Sequence, residues 1–223
     1  MYKCCIFDLD GTLLDTLSAL TYSCNLTLEA LGLTPVERER YKFLVGDGAG
    51  KLVERALTEG PNDRPDLYEE AIALYQKNFE KHCMYEVRPY AGILELLAYL
   101  KQAGIKISVL SNKPHERTIE NIETVFGKGY FDYIQGERES EGIKRKPDPS
   151  GVYQIMNYFN LNREECLYIG DTNTDMQTGK NAGLDTVGVT WGFRPESELV
   201  AFHPEYVAHV PADIQKAIES KIM

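Results

Sequence analysis

Two aspartates, Asp8 and Asp10, stand two residues apart in FDLDGTLLDT, where an apolar run stops and a glycine turn begins. Residues i and i+2 of an extended chain share a face, so both carboxylates can address one point. Two such anions raise each other's pKa unless a cation lies between them. The pair suits a metal site, or a nucleophile beside an acid; on its own it equally suits a polar turn after a buried strand. Near the other end YIGDTNTDM repeats the pattern, with Asp171 directly after an apolar run and Asp175 four residues later on an opening helix turn. Alone, Asp171 or Thr172 reads as a helix cap. Two further signals follow. VLSNKP presents Ser111, Asn112 and Lys113 as hydroxyl, amide and ammonium donors, and KRKPDP places Lys146 before a proline that restricts its backbone toward extended conformations.

These residues meet only if the chain carries them to one place, and its apolar rhythm says how. Short apolar runs at residues 3 to 7, 105 to 110, 131 to 134, 166 to 170 and 185 to 190 read as buried strands, with YVAHV as a sixth, edge strand. Helical patterns lie between them (91 to 104, 114 to 127, 148 to 160, 172 to 183), and PADIQKAIESKI closes the chain. This alternation predicts an α/β fold, a doubly wound parallel sheet covered on both faces. Residues 16 to 86 break it with three helical patterns and no strand, so they read as an inserted helical domain. The flanking segments, 1 to 15 and 87 to 223, form the core, with hinges near 15 to 17 and 85 to 89. Open parallel sheets bind ligands beyond the carboxyl ends of their strands, where strand order reverses. If the first and fourth core strands are neighbours there, about 4.8 Å apart, all four acids converge. Such a cluster calls for a hard cation, and Mg²⁺ is inferred.

A chain of 223 residues with 43% hydrophobic composition can bury a sizeable core. Its formal charge of -10 argues against a sequence-independent grip on nucleic acid. No stretch approaches the roughly 18 apolar residues of a membrane span, and the amino terminus does not resemble a signal peptide. Cys4, Cys5, Cys24, Cys83 and Cys166 show neither a disulfide framework nor metal-ligand spacing, which fits a reducing, cytoplasmic compartment. The four histidines read as surface or packing residues.

In order along the chain, DLDGT at 8 to 12, LSN at 110 to 112, KPDP at 146 to 149 and GDTNTD at 170 to 175 resemble the four motifs of the haloacid dehalogenase (HAD) superfamily. The resemblance spans nearly the whole chain and implies a Rossmann-like core with an α-helical cap. About 34 residues separate Ser111 from Lys146, too few for the second kind of cap. It further implies Asp8 as nucleophile and Asp10 as general acid and base. Thr12, Ser111, Asn112 and Lys146 would serve the phosphoryl group. Asp8, the carbonyl of Asp10 and Asp171 would hold Mg²⁺, with Asp175 behind them. An acid at position 10 sets the chain apart from transport ATPases, which carry Thr there, and the intact DxDGT sets it apart from the dehalogenase branch.

Within the insert, Val45 to Leu57 resembles the phosphoglycolate phosphatase branch, as does VTWGFRP near the end. The resemblance implies 2-phosphoglycolate as substrate. Pyrophosphate, nucleotides and sugar phosphates are the alternatives, beside a beta-phosphoglucomutase-like mutase, whose usual His after the first motif is absent. A non-enzymatic phospho-binding module is disfavoured by the intact reacting groups. The glycines of VGDGAGK, Gly46 among them, let backbone donors approach a ligand, and Lys51 or Arg55 is expected to reach its carboxylate. The expected partner is a small phosphorylated metabolite; the protein is expected to be a monomer or homodimer.

Overall fold

The computed structural model describes residues 1–221. In chain order the elements are β1 (Cys4–Phe7), β2 (Leu14–Asp15), α1 (Leu17–Ala30), α2 (Arg38–Leu44), α3 (Ala49–Ala56), α4 (Tyr68–His82) and β3 (Arg88–Pro89). There follow α5 (Ile93–Gln102), β4 (Lys106–Pro114), α6 (His115–Phe126), β5 (Tyr133–Glu137), α7 (Ser150–Phe159) and β6 (Cys166–Gly170). The chain continues with α8 (Asn173–Ala182), β7 (Asp185–Val189), α9 (Glu196–Val200), β8 (Tyr206–Ala208) and α10 (Pro211–Ser220).

β1 carries no polar side chain because both its faces are covered. Cys5 and Phe7 join the cluster of Leu97, Ile107, Val109, Ile169 and Ile214, while Cys4 and Ile6 join Leu110, Val152, Ile155 and Tyr168 on the opposite side. This is the period of two expected of a strand, and it places α5 and α10 on one face and α7 and α8 on the other. The sheet order is β5-β4-β1-β6-β7-β8, and the strands run parallel. From β1 the chain builds outward to β4 and β5, then returns to lay β6 on the other side of β1. Strand order therefore reverses between β1 and β6. Their register pairs Phe7 with Ile169, so Asp8 and Asp171 leave the sheet side by side.

Helices α1 to α4 bury their own apolar cluster, which includes Leu17, Leu28, Tyr41, Leu52, Leu57, Tyr75 and Phe79. Phe193, from the loop after β7, is the sheet side's addition to it. The two chain crossings into and out of this helical layer pair as the antiparallel strands β2 and β3 (Leu14 with Pro89, Asp15 with Arg88).

Some expected boundaries move. β4 runs four residues beyond the expected stop, so Ser111, Asn112 and Lys113 lie on an irregular strand end rather than after it. The expected strand at 131 to 134 is realised as Tyr133–Glu137, because both the amide and the carboxylate of Asp132 bond to the Ile107 backbone and tie the preceding chain to β4. α2 was not expected; it is short and polar, with only Tyr41 and Leu44 turned inward. The expected end of the closing helix, at Ile222, lies outside the described residues.

Candidate active site

At the reversal point Asp8, Asp171 and Asp175 offer carboxylate oxygens that all lie within 4.8 Å of one another, in surroundings that bury all three. One ammonium answers them. Lys146 Nζ donates to Asp8 Oδ1 and Asp175 Oδ1, each at 2.6 Å. Burial alone would strip the proton from Lys146, but the charges of Asp175 and Asp8 hold it there and its pKa rises well above the ordinary range. Burial pushes Asp8 well above the usual carboxylate range despite Lys146, with Asp175 and Asp171 adding to the rise. Asp171 is pushed up to about 7, first by burial and then by Asp175, against hydrogen bonds from the Phe193 amide and the Thr12 hydroxyl. A pocket that resists carrying its own negative charge is one in which a bound cation gains most.

The four aspartates differ in what remains free. Both Asp175 oxygens are occupied, by Lys146 and Tyr168 on one side and by the Thr172 backbone amide and hydroxyl on the other. Asp175 thus holds Lys146 and completes the capping box of α8. Asp8 Oδ2 has no hydrogen-bond partner among the described residues. Asp10 accepts from Lys113 Nζ at 2.8 Å through Oδ1 only. Asp171 is clamped by Thr12 Oγ1 (3.1 Å) and the Phe193 amide (2.7 Å), and glycines allow the approach: a Cβ on Gly11 or Gly192 would overlap its carboxylate. Gly11 also needs its freedom for the turn, at φ +93°.

Three residues expected to contact the ligand make other contacts here. Thr12 is fully buried, and its hydroxyl donates to Asp171. Asn112 borders the cavity, but its amide is consumed by the backbone of Lys146 on both sides (2.8 and 3.1 Å) and by the Gly46 carbonyl (3.3 Å). It positions Lys146 and the insert loop. Lys51 points away: α3 turns Leu52, Val53 and Ala56 inward, leaving Lys51 exposed and paired with Glu54 at 2.6 Å. Arg55 does not reach the cavity either. It donates to the Leu44 carbonyl and pairs with Asp47, bracing the loop.

The cavity brings together Asp8, Asp10, Ser111, Lys146 and Gly46 as expected, together with Lys113, noted in the sequence as an ammonium donor without an assigned role, and with Leu20, Leu52, Tyr75 and Phe79 from the helical layer. Space for water-sized centres within it amounts to about 50 Å³. The layer is held down by the core through the loop after α2. Arg194 donates to the Val45 carbonyl (2.9 Å), Asn112 to that of Gly46, and Thr174 to the Asp47 carboxylate (2.8 Å). Trp191 supports the first motif from beneath, donating to the Thr12 carbonyl at 3.0 Å.

A parallel sheet whose reversal point gathers acids around one lysine, beneath a helical lid, defines a phosphoric monoester hydrolase. Residues 5–189 match the family model of the haloacid dehalogenase-like hydrolases. The chain is 33% identical to a phosphoglycolate phosphatase of Thiobacillus denitrificans, over 88% of each chain. It is 32% identical to one of Agrobacterium fabrum, over 98% of this chain and 93% of the relative. A crystal structure from Lactobacillus delbrueckii subsp. bulgaricus superposes with a TM-score of 0.90 at 32% identity, covering 97% of this chain and 98% of that one. The chain belongs to the haloacid dehalogenase-like hydrolase family.

Two outcomes follow from this geometry. Because Asp8 and Asp171 hold protons more tightly folded than unfolded, these two groups are expected to make the metal-free protein lose stability as pH rises from about 4 through about 7. Thermal melts in chelator should fall over that interval, and an added divalent cation should restore more at pH 8 than at pH 5. A pH-independent melt would contradict it. Gly192→Ala should displace Asp171 and lower turnover by about 10²-fold, with the fold retained by circular dichroism.

Proposed function

We propose that the protein is a Mg²⁺-dependent phosphatase that turns over through a phosphorylated Asp8 and that its substrate is 2-phosphoglycolate. The observation that carries the reading is the convergence of Asp8, Asp171 and Asp175 around Lys146 at the end of β1 and β6. All are hard oxygen donors of the kind Mg²⁺ takes. Mg²⁺, held by Asp8, Asp171 and the carbonyl of Asp10, supplies the charge neutralisation that lets an anionic nucleophile approach an anionic ester.

The chain's own residues do the rest. Lys146 holds Asp8 by one oxygen and so aims the other, which has no partner, at the substrate. That oxygen attacks phosphorus; a bond forms from Asp8 to phosphorus as the bond to the ester oxygen breaks. Asp10 gives the departing alkoxide its proton. Water then attacks the phosphoryl group on Asp8, Asp10 takes the proton released, and phosphate leaves with Asp8 restored. Ser111 and Lys146 stabilise the non-bridging oxygens. Residues 16 to 86 act as a cap over the core formed by 1 to 15 and 87 to 223, excluding water during transfer.

The substrate reading is supported by the relatives that bear the name phosphoglycolate phosphatase. Five free, buried cysteines accord with a cytoplasmic setting, and no helix among the described residues is long and apolar enough to cross a membrane.

Asp8→Asn should abolish steady-state turnover, and Asp10→Asn should lower it by about 10²- to 10⁴-fold while leaving cation affinity largely intact. Near-normal activity in the first variant would sink the mechanism. A panel of 2-phosphoglycolate, pyrophosphate, a nucleotide and a hexose phosphate should give the highest kcat/KM for the first; a different winner replaces the substrate. Closure is checked by scattering in solution: the protein with Mg²⁺ and a phosphate analogue should be more compact than the ligand-free protein, and Arg194→Ala should shift the ligand-free protein toward the open form.

A further inference from the structure

With Lys51 in solvent, the carboxylate expected on the substrate has no partner where the sequence placed one. Two cations border the cavity, Lys146 and Lys113. Lys146 is taken up by Asp8 and Asp175. Lys113 is different. Its side chain is only 2% exposed, yet it makes one hydrogen bond, to Asp10, and an ammonium carries three donors. Its Nζ lies 5.0 Å from the centre of the Phe79 ring of the cap, so it stands between the acid of the core and the apolar ceiling.

A second group faces the same place. Tyr75 is 1% exposed and borders the cavity, and its hydroxyl makes no hydrogen bond among the described residues. The ring stacks at 5.4 Å between centres on Phe79, the same ring that Lys113 Nζ approaches. A phenol this deeply buried without a partner is costly, and both groups are donors, suited to an anion. The rest of the ceiling, Leu20, Leu52 and Phe79, offers nothing polar from its side chains.

Placement decides which anion. Asp10 must contact the ester oxygen to protonate it, and Lys113 sits at hydrogen-bond distance from Asp10. In 2-phosphoglycolate one methylene separates the ester oxygen from the carboxylate. We infer that Lys113 and the Tyr75 hydroxyl form the subsite that binds a carboxylate on the carbon next to the ester oxygen, and that this pair, rather than any cation of the cap surface, selects the substrate. The inference rests on the substrate class proposed above and adds the residues that read it.

The test compares 2-phosphoglycolate with ethyl phosphate, which keeps the phosphate and the chain length and lacks the carboxylate. Lys113→Met also removes the partner of Asp10, so some loss common to both esters is expected. Beyond that common loss, kcat/KM for 2-phosphoglycolate should fall further, by about 10- to 150-fold relative to ethyl phosphate, the range of a charge-assisted hydrogen bond. Tyr75→Phe keeps the stack on Phe79 and removes one hydroxyl; it should cost about 2- to 12-fold on 2-phosphoglycolate alone. It stands as an independent reading should the methionine variant not fold. If the native enzyme favours 2-phosphoglycolate and both variants keep that preference, the substrate stands and this subsite is wrong. Equal losses on both esters would assign Lys113 to holding Asp10 and overturn the inference. A native enzyme with no preference for the carboxylate would remove the substrate reading, and the subsite with it.

Discussion

Lys146 places a single ammonium among three buried carboxylates, and most of the molecule is arranged around keeping that balance. Taking one charge out of such a group leaves the others buried and uncompensated, which is far more costly than losing an exposed pair. The sheet must therefore deliver Asp8 and Asp171 from adjacent strands, which requires the chain to return to β1 after building two strands on its other side. Asn112 must hold the Lys146 backbone from both sides. Tyr168, Thr172 and the start of α8 must saturate Asp175 so that it stays a partner of Lys146. What remains without a hydrogen-bond partner among the described residues is one oxygen of Asp8, the group proposed above as the nucleophile.

The helical layer is tied to this balance by backbone groups more than by side chains. Of the three polar ties that its loop 45–47 makes to the core, two end on carbonyls, of Val45 and Gly46, and the third on Asp47. Carbonyls at the end of α2 lack partners within the helix, so core donors complete them when the layer is down. Asn112 serves both sides at once, bonding Lys146 and Gly46. The position of the lid and the position of the reacting lysine thus share one side chain.

Much of this was legible in the sequence. The three apolar runs that end at Asp8, Ser111 and Asp171 marked strands and their carboxyl ends, and the strand-helix alternation predicted a parallel sheet in which Asp8 and Asp171 meet if their strands are neighbours. What was not legible has a common cause: type and spacing say what a side chain can donate or accept, and folding decides what it meets. Thr12 and Asn112 looked like phosphate ligands because their donors were visible and their partners, Asp171 and the Lys146 backbone, were distant in sequence. Tyr75 and Phe79 sit on the same apolar stripe of α4 that packs the layer, so nothing in their spacing separates a cavity wall from a core. Lys51 was the more readable miss, since Leu52, Val53 and Ala56 already define the buried face of α3 and leave Lys51 outside it.

The β2–β3 pair gives the molecule a seam. Leu14 lies against Pro89 and Asp15 against Arg88, so the chain leaves the sheet and returns to it at one spot, with more than seventy residues looped out between. Closure of that loop is supplied by the ribbon itself and grows only slowly in cost with length. At this seam the sheet therefore places little demand on the length of what is spliced in, provided its ends meet. Fit is demanded elsewhere, where Asn112, Thr174, Phe193 and Arg194 meet the inserted layer.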